Sequence, residues 1–183
     1  MVKSVEGYRP LARQEREDIE RSLSEEVITP LPLDEPSRPR VKTDAPLVGP
    51  LVGPINSPFG PRRGRFLAGI DIGSPHYQEV LAALDGEVIY ASATRGALGK
   101  AVVLQHGDGV RTVYAHLSII IAREGQTVRQ GQPIGGVGDT GRATGPHQHF
   151  EVRKDGHALN PEDYLPATVD ELVRDLSDSR RAR

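Results

Sequence analysis

Apolar positions change their spacing along this chain, and each change marks a boundary. Residues 11–27, LARQEREDIERSLSEEV, carry Leu11, Ile19, Leu23 and Val27 at intervals of eight, four and four, which a helix places roughly along one face. The stripe is thin and the other positions are mostly charged, so the pattern predicts a solvated helix or arm docking weakly on the rest. A sustained heptad repeat, which a coiled coil requires, is missing. From Pro30 to Pro54 lie seven of the fifteen prolines; proline fixes φ and donates no ladder hydrogen bond, so this stretch reads as an extended linker.

Beyond residue 54 the texture becomes short apolar runs broken by glycine turns. EVLAAL, DG, EVIYASA, GKAVVLQH, GDG and VRTVYAHLSII follow one another. Asp-Gly between β-rich runs is a hairpin signal, and the regular spacing predicts an antiparallel all-β sheet, continued by GQTVRQGQPIGGVG and HQHFEVRKDG. After NPEDYL the tail holds Val169, Leu172, Val173 and Leu176 at helical spacing before a basic end, predicting a short terminal helix. The expected organisation is a charged, helical segment over 1–29, a Pro-rich linker over 30–54, a β domain over 55–165, and a helical tail over 166–183.

With 183 residues, 37% of them apolar, the chain can build one core of ordinary size and not two. The 23 basic residues are balanced by 25 acidic ones for a formal charge of −2, so no cationic field for nucleic acid or an anionic membrane is expected. The absence of cysteine excludes a disulfide framework, a thiolate metal site and a cysteine nucleophile; any metal must be held by His, Asp or Glu. The first residues, MVKSVEGYRP, contain no apolar run, so neither a signal peptide nor a transmembrane segment is expected in this chain.

Chemistry concentrates in GPHQHFEV, where His147 and His149 stand one residue apart. On a strand, i and i+2 point to the same face, so the two imidazoles converge. Such a pair is as consistent with mutual or solvent hydrogen bonding as with a metal. Two further residues favour the metal: Asp71, flanked by Ile70 and Ile72 as on a half-buried strand, and His116 in TVYAHL. A catalytic zinc needs three protein ligands and an open fourth position for water, with a neighbouring histidine to handle protons.

The runs SPFGPRRGRFLAGIDI, VLAALDGEVIYA, VVLQHGDGVRTVYAHL, EGQTVRQGQPIGGVGDTGRATGPHQHFEV and NPEDYL together resemble the lysostaphin-type (LytM domain) zinc peptidases, in order and without large gaps over about residues 55–165. The resemblance implies a compact antiparallel β groove and enzymes that cut peptide cross-links in bacterial peptidoglycan. It also implies that zinc is held by the His and Asp of an H-x-G-x-D-type motif and by the second histidine of H-x-H. Carried over, Asp71 and His149 match metal ligands, and His116 and His147 match the pair that assists the metal-bound water. The first ligand falls on Leu67, which cannot coordinate.

Since losing an outer-shell partner alone costs roughly 10–100-fold in metal affinity or activity, zinc is expected to be absent or weakly bound, leaving His116 and His147 as vestigial catalytic residues. The resemblance then implies a non-catalytic member that binds peptidoglycan or activates a cell-wall amidase in the bacterial envelope, the periplasm. An active zinc metalloendopeptidase is the alternative, because Asp71, His116, His147 and His149 are all retained. In a straight strand residues 67 and 71 would stand roughly 13 Å apart, so the motif is expected to bend around Gly69.

The remaining signals read blandly. His76 in GSPHYQ is expected on an exposed turn, His106 at a strand end and His157 in a solvated turn. Gln148, where the family usually has leucine, suggests a less deeply buried opposite face, and Lys100 stands where asparagine is frequent. Gly136, Gly138 and Gly141 spell G-x-G-x-x-G, but a turn and a strand follow instead of the helix that dinucleotide binding needs. Neither Lys100 nor Lys154 sits in the tight hairpin of a biotin or lipoyl carrier.

Overall fold

A computed structural model describes residues 12–24, 47–62, 64–94 and 96–166. The expected C-terminal helix and most of the Pro-rich segment lie outside the described residues. The charged stripe forms helix α1 (Arg13–Ser24). Thirteen strands follow among the described residues: β1 (Ile55–Ser57), β2 (Gly60–Arg62), β3 (Arg65–Leu67), β4 (Ile70–Gly73), β5 (Glu79–Leu81), β6 (Gly86–Ala93), β7 (Lys100–Gln105), β8 (Val110–Ala115), β9 (Leu117–Ile120), β10 (Thr127–Val128), β11 (Pro133–Val137), β12 (His147–Lys154) and β13 (His157–Leu159).

Among the described residues the fold is all-β apart from α1 and one short 3-10 turn, Pro161–Asp163. The principal sheet runs β1-β4-β12-β8-β7-β6-β10, with β13 also paired to β12; β5-β11-β9 form a second sheet and β2-β3 a separate ribbon. Neighbouring strands are antiparallel throughout, as in β4–β12 and β7–β8.

Alternation along the strands sends one apolar set between the two sheets. Ile70, Ile72, Val102, Leu104, Tyr114, Phe150 and Val152 of the large sheet pack with Val80, Leu117, Ile134 and Val137 of the small one. Burying each such side chain fully stabilises the fold by about 1.5–3 kcal/mol. Within this core the Tyr114 hydroxyl accepts the Ala83 N–H at 2.8 Å and the Thr112 hydroxyl at 3.0 Å. His106 closes the chain of contacts, with Nε2 2.8 Å from the Thr112 hydroxyl and Nδ1 2.7 Å from the Asp85 carbonyl. Burial depresses its pKa, so it serves as a neutral tie between a turn and a strand.

The opposite face of the large sheet is apolar only over β6, β7 and β8. There Tyr90, Ala101, Val103, Val113 and Ala115 receive Ile19 and Leu23 from α1. Arg16 fixes the helix by pairing with Glu124 and by lying 5.5 Å over the Tyr90 ring. Residues 47–54, the end of the Pro-rich stretch, also pack on the β domain: Leu47 and Leu51 are buried, and the Val48 and Leu81 N–H groups donate to the Ala83 and Pro50 carbonyls.

Two local expectations change. VRTVYAHLSII, one apolar run, is two strands in different sheets, because His116 adopts φ 59° between β8 and β9. Gln148 faces the core and is fully buried, which corrects the expectation of a shallower face: β12 is an interior strand, flanked by β4 and β8. Its Nε2 donates to the His149 carbonyl at 2.6 Å, while Oε1 has no hydrogen-bond partner among the described residues.

Candidate functional site: a histidine–carboxylate groove

The i, i+2 rule carries further on β12 than the histidine pair. His147, His149, Glu151 and Arg153 all line one open groove of about 430 Å³ on the face that α1 partly covers. Register sets His149 opposite Asp71 of β4 and Ala115 of β8, and the next residue of the chain, His116, turns its ring inward. The His116 and His147 ring centroids lie 4.6 Å apart, and those of His116 and His149 5.9 Å. Asp71, His116, His147 and His149 therefore converge.

The hydrogen bonds assign a state to each ring. The His116 and His147 Nδ1 atoms lie 2.8 Å from the Thr140 and Gly145 carbonyls, which only accept; each Nδ1 therefore carries the proton and leaves Nε2 as the basic nitrogen. Burial is the main cause that holds the His116 pKa down at about 4, with the neighbouring histidines adding to it.

His149 differs, being bonded on both sides by carboxylates: Nδ1 lies 2.8 Å from Asp71 Oδ1 and Nε2 3.0 Å from Glu151 Oε1. Burial alone would lower its pKa, but the two hydrogen bonds and the two negative charges raise it to about 9, so this ring is an imidazolium. Glu151 is completed by Arg153, whose Nε donates to Oε2 at 2.6 Å. Burial opposes its ionisation, yet the Arg153 charge and the His149 bond hold its pKa at about 2. In Asp71, desolvation is likewise outweighed by His149 and His147, and the pKa is lowered. The result is an alternating row of Asp71, His149, Glu151 and Arg153, with the last three almost fully buried.

Glu151 and Arg153 escaped the sequence reading, although the signal was present: the period of two that joins His147 to His149 continues through FEVR to both. The expected bend at Gly69 exists, between β3 and β4, and is enforced by contact, since a Cβ there would lie 2.1 Å from the Phe150 carbonyl oxygen. That close approach brings Leu67 and Ala68 to the groove wall. His76 does not line the groove; its Nε2 lies 3.6 Å from Asp139 and its ring packs edge-on against Tyr77. His157 is exposed in β13.

A three-ligand zinc site does not fit this set of donors. Asp71 and His149 face one another, but the wall beside them offers the aliphatic Leu67, and among the described residues no three His, Cys, Asp or Glu side chains are arranged to hold a metal.

The shifts set a pH optimum for stability. His149, raised from 6.5 to about 9, contributes stability fully below pH 6.5 and loses it as pH rises through about 9. His116, depressed to about 4, acts in the opposite sense: its unfolded form takes up a proton below pH 6.5, so stability falls as pH drops from 6.5 towards 4. Urea midpoints measured across pH should peak near 6.5, and His116→Asn should flatten the acid limb while leaving the alkaline one.

Comparison with known proteins places this groove in a family context. The sequence profile of Peptidase family M23 matches residues 65–161. The DD-carboxypeptidase/endopeptidase Mpg of Neisseria meningitidis serogroup B is 46% identical over 112 residues, 58% of this chain and 26% of that protein. The murein hydrolase activator NlpD of Salmonella dublin is 35% identical over 135 residues, 72% of this chain and 35% of the relative. The chain thus spans about a third or less of the length of these relatives. Among solved structures, a zinc-containing peptidase from Vibrio cholerae superposes with a TM-score of 0.59 at 34% identity, covering 63% of this chain and 39% of that one.

Proposed function

The chain belongs to peptidase family M23, and on that premise we propose that it is a catalytically degenerate, peptidase-like domain of bacterial cell-wall remodelling, which binds peptidoglycan or activates a cell-wall amidase. One observation carries the reading: Leu67 lines the groove beside Asp71 and His149, where a third metal donor would be needed. Zinc is absent or weakly held in this reading, and His116 and His147 are vestigial. The likeness to an NlpD named as a murein hydrolase activator supports a role in which the groove binds without cutting. It also supports an address in the cell envelope, the periplasm. Residues 55–165 form the binding unit in this proposal, with 1–29 and 30–54 as arm and linker and 166–183 as tail.

A second reading, an active zinc endopeptidase, draws on the retained convergence of Asp71, His116, His147 and His149. Purified sacculi decide between them. The expected outcome is retention of the protein on sacculi, or stimulation of an amidase, unchanged by chelator and without release of soluble fragments. Release of peptide-cleaved fragments that chelator abolishes would replace the first reading by the second.

A further inference from the structure

Among the described residues, four that are not glycine adopt left-handed backbone: Tyr77 at φ 68°, Asp108 at 56°, His116 at 59° and Asp155 at 50°. Asp and His are enriched in that region, whereas a bulky tyrosine there is an outlier that persists only where its surroundings impose it. They do so here. The Tyr77 N–H donates to the Val137 carbonyl and the Val137 N–H to the Gln78 carbonyl, both at 2.8 Å. The Gln78 side chain accepts from the Ser74 hydroxyl at 2.6 Å and donates to the Val52 carbonyl at 3.2 Å. A glycine at 77 would meet the same backbone bonds without strain, so the turn itself does not call for a ring.

Packing does not call for it either. Tyr77 is 65% exposed, and its ring meets His76 edge-on with centroids 4.1 Å apart. Ile119 of β9 and Ile121 just beyond it are exposed as well. Between Tyr77 and Ile119 lies Gly136, where an added Cβ would stand 3.6 Å from the Tyr77 Cα and 3.2 Å from Ile119 Cγ1. The missing side chain leaves a shallow dip. Beside Tyr77, His76 Nε2 lies 3.6 Å from Asp139 Oδ1, with both side chains partly open to solvent.

We propose that this patch, centred on Tyr77, is a saccharide subsite for a neutral glycan strand. A sugar ring turns a face of C–H groups towards an aromatic platform and its hydroxyl and amide groups towards donors and acceptors around it; Tyr77 supplies the first, and His76 and Asp139 the second. The Asp139 charge disfavours an acidic peptide. Three exposed apolar side chains also fall well short of the roughly 20–30 residues a side in a stable protein interface, which argues against a folded partner. Tyr77, His76, Ile119 and Asp139 lie outside the histidine–carboxylate groove, but Asp139 belongs to the β11–β12 connection whose Arg142 and Thr144 line it. Sugar and peptide are covalently joined in peptidoglycan, so a sugar subsite belongs beside the groove and not within it. The inference rests on the cell-wall reading above and selects its peptidoglycan branch.

The test is an NMR titration of the isotope-labelled full chain with two probes: the tetrasaccharide of β1,4-linked N-acetylglucosamine, and a free stem peptide. The tetrasaccharide should shift the backbone signals of residues 76–78, 118–121 and 136–139, and the stem peptide should leave them in place. Tyr77→Gly separates binding from folding: affinity for the tetrasaccharide should fall roughly tenfold, while Tm holds or rises because the strain is relieved. Tyr77→Phe, which keeps the ring, should retain most of the affinity. Absence of those shifts, the same shifts from the stem peptide, an affinity unchanged in Tyr77→Gly, or a Tm that this variant lowers overturns the saccharide subsite. Loss of amidase stimulation in Tyr77→Gly with sugar binding intact assigns the patch to a protein partner and overturns it equally. In each case continued retention on sacculi leaves the cell-wall reading in place. A full chain that is neither retained on sacculi nor able to stimulate an amidase removes that reading itself.

Discussion

Metal-stripped protein carrying Leu67→His should take up one zinc ion per chain with an affinity at least about 100-fold above that of the unaltered chain, as read by calorimetry. The magnitude follows from the rule that an outer-shell partner is worth roughly 10–100-fold, so a direct ligand must be worth more. Leu67 already lines the groove with Asp71 and His149, held there by the close passage of Gly69 over Phe150. An imidazole at 67 would add the third donor that a catalytic-type site requires. Metal uptake must displace the proton that His149 shares with Asp71, so zinc affinity in the variant should weaken as pH falls. Leu67→Gln controls for the lost apolar volume and should show no comparable gain. Tight one-to-one binding by the unaltered chain would sink the degenerate reading, because some other donor would then complete the site.

The largest loss of stability should come from Glu151→Ala. Glu151 lies between His149 and Arg153, all three almost completely buried, and removing it takes away the negative charge that separates two buried cations. Breaking a buried ion pair by deleting one partner costs about 3–5 kcal/mol, a large share of the roughly 5–15 kcal/mol by which a domain is stable. Urea unfolding at pH 6.5 should show a midpoint shift of that size. Replacing the pair together, Glu151→Leu with Arg153→Met, should cost clearly less, because apolar substitutes remove the second cation and His149 keeps its bond to Asp71. If the single variant lost less than about 1 kcal/mol, the expected magnitude for a solvent-screened pair, the row would not be the buried unit described here.

What the sequence made legible follows the range of the forces involved. Period two placed His147 beside His149 and required nothing beyond one strand. The same period pointed to Glu151 and Arg153, but their role depends on Asp71, 78 positions away from His149, and no local pattern reports that register. The strand break at His116 was hidden because the run around it contains neither glycine nor proline, the residues by which turns announce themselves. Gln148 misled for a related reason: polarity suggested a shallow face, whereas its position on a strand flanked on both sides buried it regardless. The stripe on α1 was readable as a helix face, while its counterpart around Tyr90 and Val113 is an assembly of three strands. Leu67 is the extreme case, since an isolated leucine on a short strand says nothing until a neighbouring pattern assigns the position a task.

The left-handed backbone at His116 constrains how this site can diverge. With φ at 59°, the residue is the joint at which the chain leaves one sheet for the other, and non-glycine side chains other than Asn, Asp and His tolerate that conformation poorly. Alanine at 116 would remove the ring and add backbone strain on the order of 1 kcal/mol, whereas asparagine would remove the ring with little added strain. Mutational drift away from the imidazole is therefore channelled toward Asn, Asp or Gly. Position 67 lies on β3 and imposes no such backbone demand, so an exchange between leucine and histidine there carries almost no conformational cost, and the two halves of the groove differ in how freely their side chains can be exchanged.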